Sequence, residues 1–428
     1  MSKWKEYRLG EILAPKGYIR GPFGSALKRT EMKLSGYVVY EQQHAIYNTR
    51  NFRYFIDESK FNDLKRFKTL PNDLIISCSG TVGEISIIQE SDPQGIISQA
   101  LLALRPNLEI ISPKFLFYFF KNRYGYNQLI SASHGSVQVN IAKREVVESI
   151  KISLPKRNIQ NQITEILSSL DDKIELNNKI NQELETLAQT LFKQWFIDFE
   201  FPNENGEPYK SSGGEMVESE LGEIPKRWYV STIGEITEAV TKGTTPTTIG
   251  GKFTERGINF IKVESLTEQG TFIKTKFSFI DEYTNQLLKR SIIKDGDVLF
   301  SIAGTIGRVA VVTKDILPAN TNQAIAIIRP NKVDSYFLKL LMQSALIQND
   351  TKSNVVQAVQ ANLSLGVIKA TKFIKPLSSI LAEFQSVTKE IYEQVNILSE
   401  ENEVLTILRD TLLPKLISGE LEINEISN

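Results

Sequence analysis

The sequence predicts an α+β protein made of one unit written twice. Two mixed α/β modules are each followed by a long helix, and the helices pair as an antiparallel coiled coil about a pseudo-twofold axis. Three observations predict this. The first is a repeat, the feature to seek before any local reading. Trp4 and Leu9-Gly10-Glu11-Ile12 return as Trp228 and Ile233-Gly234-Glu235-Ile236, an offset of 224. Phe55-Ile56-Asp57, Ser79-Gly80-Thr81-Val82-Gly83, Gln99-Ala100 and Arg105-Pro106 recur at that same offset, as Phe279-Ile280-Asp281, Ala303-Gly304-Thr305-Ile306-Gly307, Gln323-Ala324 and Arg329-Pro330. After small indels, Val137-Gln138 and Asn140 pair with Val359-Gln360 and Asn362. The second observation is charge. The 428 residues carry 50 basic and 50 acidic side chains, yet residues 1–156 are +8, 157–200 are −4, 201–224 are −5, 225–377 are +8 and 378–428 are −7. The third is an apolar repeat of 3.5 residues in both acidic stretches, the mark of a coiled-coil seam.

Residues 1–156 form the first module. Tyr37-Val38-Val39-Tyr40, Leu74-Ile75-Ile76-Ser77 and Gly95-Ile96-Ile97-Ser98 are β-branched runs between glycine and proline punctuation, and a helix follows around Pro113–Tyr124. Long polar connections, Gly17–Arg29 and Tyr40–Arg53, fill the rest. Residues 157–200 are the first long helix, with Ile159, Ile166, Ile180 and Leu187 on one seam position and Ile163, Leu170, Leu184 and Leu191 on the other. Residues 201–224 are an acidic linker. The second module, 225–377, repeats the strands (Val298-Leu299-Phe300, Val309-Ala310-Val311-Val312) and the helix, around Ser335–Ser344. Residues 378–428 hold the second long helix and a tail. One seam position there carries Phe384, Ile391, Leu398, Leu405 and Leu412, the other Ile380, Val387 and Leu408. About 40 residues make a helix of roughly 60 Å. Antiparallel pairing about the midpoints sets Lys173 near Glu401, a contact that fixes register, with a solvated charge on a frayed seam as the plainer alternative.

Composition bounds the chemistry. A 41% apolar and 23% charged content is that of a soluble globular protein. Met1-Ser2-Lys3-Trp4-Lys5-Glu6 has no apolar signal core and no stretch approaches a membrane span, so the cytoplasm is expected and a membrane is not. A single cysteine, Cys78, excludes an internal disulfide framework and reads as inert core in a strand. His44 and His134 have no metal-ligand spacing, so no metal site is expected. No glycine-rich cofactor loop follows a strand, Gly250-Gly251-Lys252 lacks the hydroxyl of a phosphate loop, and no run suits amino methyl transfer. No catalytic residue is named, and no cofactor is expected on this chain. Two +8 modules with basic residues in glycine-punctuated loops can neutralise phosphates, and a rigid spacer between them would separate two half-sites. The rival reading is a duplicated coiled-coil scaffold that does not bind DNA.

These residues are similar to a known family. Two modules each carry Gly-Thr-[Val/Ile]-Gly and an Arg-Pro ending, and each is followed by a leucine-rich helix. Trp195-Phe196-Ile197-Asp198-Phe199-Glu200-Phe201-Pro202 runs on into Gly222-Glu223-Ile224-Pro225, and Leu412-Leu413-Pro414-Lys415-Leu416-Ile417-Ser418-Gly419-Glu420-Leu421 ends the second helix. In this order, along essentially the whole chain, they resemble the DNA-specificity subunit of type I restriction–modification systems. The resemblance implies two target-recognition domains on a non-catalytic reader of a bipartite double-stranded DNA target. It implies two modification subunits that bind S-adenosylmethionine and methylate adenine. It leaves open whether restriction subunits using ATP and magnesium join them.

The duplication also filters the candidate readers: residues shared by both halves are scaffold, and base readers lie where the halves differ. Trp4/Trp228, Gly80/Gly304, Thr81/Thr305 and Gly83/Gly307 are then structural, and Gln138/Gln360 and Asn140/Asn362 are turn or cap residues. The divergent loops give Arg20, Ser25, Lys28, Arg29, Gln42, Gln43, His44, Asn48, Arg50 and Arg53 in the first module. In the second they give Lys242, Thr244, Thr245, Thr247, Thr248, Lys262, Glu264 and Ser265. Arginine suits guanine's major-groove edge, Gln and Asn suit adenine's, and threonine suits phosphate or the thymine methyl. Tyr40 and Tyr47 read as loop packing. The target bases do not follow from the sequence.

Overall fold

A computed structural model describes residues 4–23, 26–130, 141, 143–356 and 362–423. The chain divides into two compact units, residues 1–175 with 402–428, and residues 176–401. Each unit therefore holds one module and a stretch of both long helices.

In the first unit the strands are β1 (Lys5–Arg8), β2 (Leu13–Arg20), β3 (Tyr37–Tyr40), β4 (Phe55–Ile56), β5 (Leu74–Ser77), β6 (Ile85–Ile87), β7 (Gly95–Ile97), β8 (Leu101–Pro106) and β9 (Lys151–Leu154). An antiparallel sheet runs β2-β8-β5-β6, and a second runs β4-β3-β7 with β3 and β7 parallel. β1 pairs with β9. The expected connection from Gly17 begins inside β2, because Tyr18, Ile19 and Arg20 pair with Leu104, Ala103 and Leu102. The connection from Tyr40 holds a short helix, Gln42–Ile46. The helix Pro113–Lys121 lays Phe115, Leu116, Phe119 and Phe120 into the core, and a second helix, Arg123–Ile130, follows it.

The second unit repeats the plan. It opens with the hairpin β10 (Met216–Ser219) and β11 (Gly222–Pro225), inside the stretch read as a linker. There follow β12 (Tyr229–Thr232), β13 (Thr237–Lys242), β14 (Phe253–Thr254), β15 (Ile258–Ile261), β16 (Ser278–Ile280), β17 (Val298–Ser301), β18 (Val309–Val311), β19 (Ala319–Thr321), β20 (Ile325–Pro330) and β21 (Lys372–Lys375). The sheets are β13-β20-β17-β18 and β14-β16-β15-β19, with β15 and β19 parallel and β12 paired to β21. Register repeats with the sequence. Leu74 faces Leu104 in one unit and Val298 faces Ile328 in the other, both displaced by 224. Gly80 and Gly304 turn the β5–β6 and β17–β18 hairpins at φ +66° and +71°, a conformation that costs glycine little.

The Arg-Pro endings find their purpose here. Arg105 Nε and Nη2 each donate to the Asp73 carboxylate at 2.8 Å, and Arg329 grips Asp297 in the same way at 2.7 Å. Both carboxylates are buried, and each also accepts a backbone N–H, from Leu70 and Lys294. Burial pushes the Asp73 carboxyl up in pKa, against the pull of Arg105.

The long helices run Arg157–Phe196 and Ser378–Ser418. In the second unit they pair antiparallel. Asn177 donates to Glu401 at 2.7 Å, Asn181 donates to Ser399 at 3.2 Å, and the Tyr392 hydroxyl donates to Glu185 at 3.2 Å. In the first unit Arg409 donates to Asp171 at 2.8 Å. The seam is corrected by one residue. The position of Ile163, Leu170, Asn177, Leu184 and Leu191 faces inward, but its companion is Leu167, Ile174, Asn181, Ala188 and Trp195, which leaves Ile180 and Leu187 exposed. The second helix shifts likewise: Leu381, Thr388 and Val395 are buried where Val387 and Leu408 are exposed. The pattern misled because the true seam includes asparagine, alanine and threonine. Asn177, one turn from Lys173, is among its buried polar residues.

Arg105→Ala, or Arg329→Ala, strands a buried carboxylate and is expected to cost about 3–5 kcal/mol in chemical denaturation. Lys151→Ala, which breaks an exposed pair with Glu6, should change little.

Candidate nucleic-acid interface

Four strand ends converge at one edge of each module. In the first, Arg20 at the end of β2 faces Leu102, and Ser77 at the end of β5 faces Leu101. β3 and β7 end together, where the Ser98 N–H donates to the Tyr40 carbonyl at 2.8 Å. The Cys78 N–H donates to Ala100 O at 2.9 Å. The loops leaving β2 and β3 thus rise beside the β5–β6 hairpin and the Ser98–Leu101 turn. The second module does the same: Lys242 faces Ala326, Ser301 faces Ile325, and the Ile302 N–H donates to Ala324 O. Gly21 and Gly243 follow β2 and β13 where the chain presses on this turn. A Cβ would meet Ser98 O at 1.9 Å in one and Thr321 O at 1.7 Å in the other. Only glycine lets the loop leave along that path. Sequence reasoning missed these glycines, whose offset of 222 departs by two from the 224 of the matches on either side.

Arg20 stands at this edge, half-buried beside Cys78, whose thiol is pushed up to about 12 by burial. Lys28 and Arg29 are exposed, and Lys28 precedes the turn Arg29–Glu31. Ser25 lies outside the described residues, as do Gln138, Asn140, His134 and Gln360. Gln42 reaches the edge and donates to the Ser79 carbonyl at the hairpin tip. Gln43 donates to Asn51 O at 3.2 Å, and Asn48, at φ +49°, accepts from Arg50 at 3.3 Å.

Three of the expected contact residues are instead engaged within the fold. His44 is fully buried: it stacks on Phe52 at 4.6 Å, and its ring nitrogens lie beside the Glu41 backbone and Asn51 O. Burial lowers its pKa. Arg50 is held by Asp92 at 2.8 Å and by Ile87 O at 3.0 Å, so its charge is compensated by a residue far along the chain. Ser265 is buried, and its hydroxyl donates to Lys276 O. Arg53 also has a local partner, a two-pronged pair with Glu41, but stays exposed. Of the two tyrosines, Tyr40 packs as expected, whereas Tyr47 is exposed.

In the second module Lys242, Thr244, Thr247, Thr248 and Glu264 are exposed. Thr245 donates to Gln323 at 2.7 Å, Thr248 donates to Thr245 O at 2.7 Å, and Lys262 lies 4.7 Å from the Phe253 ring centre. Among the described residues no group of His, Cys, Asp and Glu could hold a metal ion. No helix of the described residues is long and apolar enough to cross a membrane.

A sequence model of the type I restriction modification DNA specificity domain matches residues 1–186 and again residues 225–405. The chain belongs to that family. This specificity subunit is 25% identical to the type I restriction enzyme HindI specificity subunit of Haemophilus influenzae, over 98% of this chain and 100% of that one. It is 28% identical to the MjaIX specificity subunit of Methanocaldococcus jannaschii over 73% of this chain and 70% of that one. Its fold is like the crystal structure of a type I restriction–modification S subunit from M. genitalium, with a TM-score of 0.53, 16% identity and 96% of each chain covered.

The burial of His44 gives the specificity subunit a pH dependence. Below the ordinary value of 6.5 the unfolded chain takes up a proton that the folded chain refuses. Its share of stability is therefore full above pH 6.5 and falls between 6.5 and the lowered folded value, by at most about 1.4 kcal/mol per pH unit. His44→Phe should lose less thermal stability than the parent chain between about pH 7.5 and pH 5.5.

Proposed function

We infer that this specificity subunit is the non-catalytic reader of a bipartite double-stranded DNA target, one half-site to each module. The observation that carries the reading is the repeated edge: one register of strand ends and one glycine pinch present loops that differ between the copies. A shared frame with divergent polar loops suits two different half-sites better than it suits one acidic protein ligand. The candidates are Arg20, Lys28, Arg29 and Gln42 in the first module. In the second they are Lys242, Thr244, Thr247 and Thr248. They supply phosphate contacts and base-edge hydrogen bonds from the two loops. The long helices are the spacer that fixes the unread gap, and their outer faces are where two modification subunits dock. On this reading S-adenosylmethionine sits on those partners, which methylate adenine, and ATP with magnesium belongs to any restriction subunits that join. None of these groups is needed by this chain's own residues.

The test is a filter-binding titration of the subunit, with its modification subunits, against duplex DNA of varied salt and sequence. Preference for one bipartite sequence, with affinity falling steeply with salt, is expected. Absent or salt-insensitive binding would leave the scaffold reading in its place.

Removing one matched heptad from each long helix shortens the spacer by about 10 Å, or roughly three base pairs. The selected gap should shrink by that amount with both half-sites unchanged. A change in half-site sequence at constant gap would refute the spacer role.

A further inference from the structure

Phe23 is a large apolar side chain that the first module presents to solvent at its loop edge, 68% exposed. Its mount is stiff. Two residues earlier, Gly21 donates its N–H to Leu101 O at 3.0 Å and lies pressed on Ser98 O, and both Gly21 and Pro22 are buried. A buried, hydrogen-bonded stem under an exposed ring is a different thing from a loose loop residue, because little freedom remains to be lost when the ring meets a partner. The surroundings are cationic: Arg20 lies three residues before it, and Lys28 and Arg29 follow.

Strand register identifies the counterpart in the second module. Arg20 faces Leu102 as Lys242 faces Ala326, so Gly21 matches Gly243 and Phe23 matches Thr245. Thr245 is half-buried and donates to Gln323, the counterpart of Gln99. Among the described residues Gln99 has no such bond and is exposed. The two edges thus offer different chemistry on one frame, an exposed ring and an exposed amide in the first and a tied hydroxyl–amide pair in the second.

Building on the reading of the chain as a DNA reader, we propose that Phe23 inserts at a base step of the half-site read by the first module. There it deforms the duplex, and it is a specificity determinant that the second module lacks. Apolar wedges between base steps unstack and kink duplex DNA at a cost that depends on the step, so the ring selects flexible steps without hydrogen bonding to them. The half-sites are then read unequally, the first by stacking and deformability as well as base edges, the second by hydrogen bonds.

The experiment uses the full chain with its modification subunits and a library of random duplexes, for the parent, Phe23→Ala, Phe23→Trp and Thr245→Ala. The parent should enrich one bipartite sequence. Phe23→Ala should relax one or two adjacent positions of a single half-site and weaken binding by about 10-fold, and Phe23→Trp should restore both. 2-Aminopurine placed at those positions should brighten on binding the parent and not on binding Phe23→Ala. Thr245→Ala should leave that half-site untouched. If the parent enriches a sequence that Phe23→Ala keeps with equal affinity and no change in 2-aminopurine, the wedge is refuted and the DNA reading survives. It is likewise refuted if Phe23→Ala fails only in assembling with the modification subunits. A parent that enriches nothing overturns the DNA reading itself.

Discussion

The sheet that carries the loop edge of each module is clamped at its far end by a two-pronged ion pair. Arg105 reaches from the close of β8 to Asp73, just before β5, and its second prong also donates to Lys68 O at 3.1 Å. Lys68 bridges to Ile96 of β7, and the Thr69 N–H donates to Gly95 O, so one guanidinium ties the four-stranded sheet to the three-stranded one. Arg329 and Asp297 repeat the clamp, with Ile293 bridging to Ala319 of β19. Both carboxylates have their lone pairs engaged, the condition under which a buried pair repays its desolvation. With the far end fixed, the near end is free to vary.

The helices are attached to the two modules by unlike chemistry. In the first unit the Tyr118 hydroxyl donates to Asp171, which also takes Arg409, so the cation comes from the second long helix. In the second unit Lys339, from the module, is buried against Glu185, with Tyr392 donating to the same carboxylate and Tyr336 stacked on Tyr392 at 4.0 Å. Burial lowers the Lys339 pKa, and only the Glu185 partnership keeps such a group tolerable. The repeat is therefore symmetric in backbone and asymmetric in its anchors. Exchanging modules between helix stretches would leave Glu185 and Lys339 without each other.

Much of this was legible in the sequence, and the rest failed for identifiable reasons. The offset of 224 foretold two folds with one register, because paired strands conserve spacing between partners. The heptads placed one seam position and missed the other by a residue, since Asn181, Ala188 and Thr388 belong to the seam while Ile180 and Leu187 do not. Within the loops that the sequence singled out, some side chains have partners that the sequence did not reveal. Arg50 is taken by Asp92, 42 residues away, and His44 by an aromatic stack with Phe52. Sequence spacing alone marks neither partner. Phe23 shows the reverse: composition gives no reason for a phenylalanine to face water, and only the strand register shows that its counterpart in the second module is a tied threonine.

The division of the chain into units has a consequence for its birth on the ribosome. The first unit comprises residues 1–175 and also 402–428. Leu413, Leu416 and Ile417, made long after them, close the same core as Ile163, Leu167 and Phe115. At about 5–20 residues per second, on the order of 10–50 s separate those two groups. The second unit, residues 176–401, is continuous and can complete itself meanwhile. The first unit cannot close its core until residues 402–428 have been made.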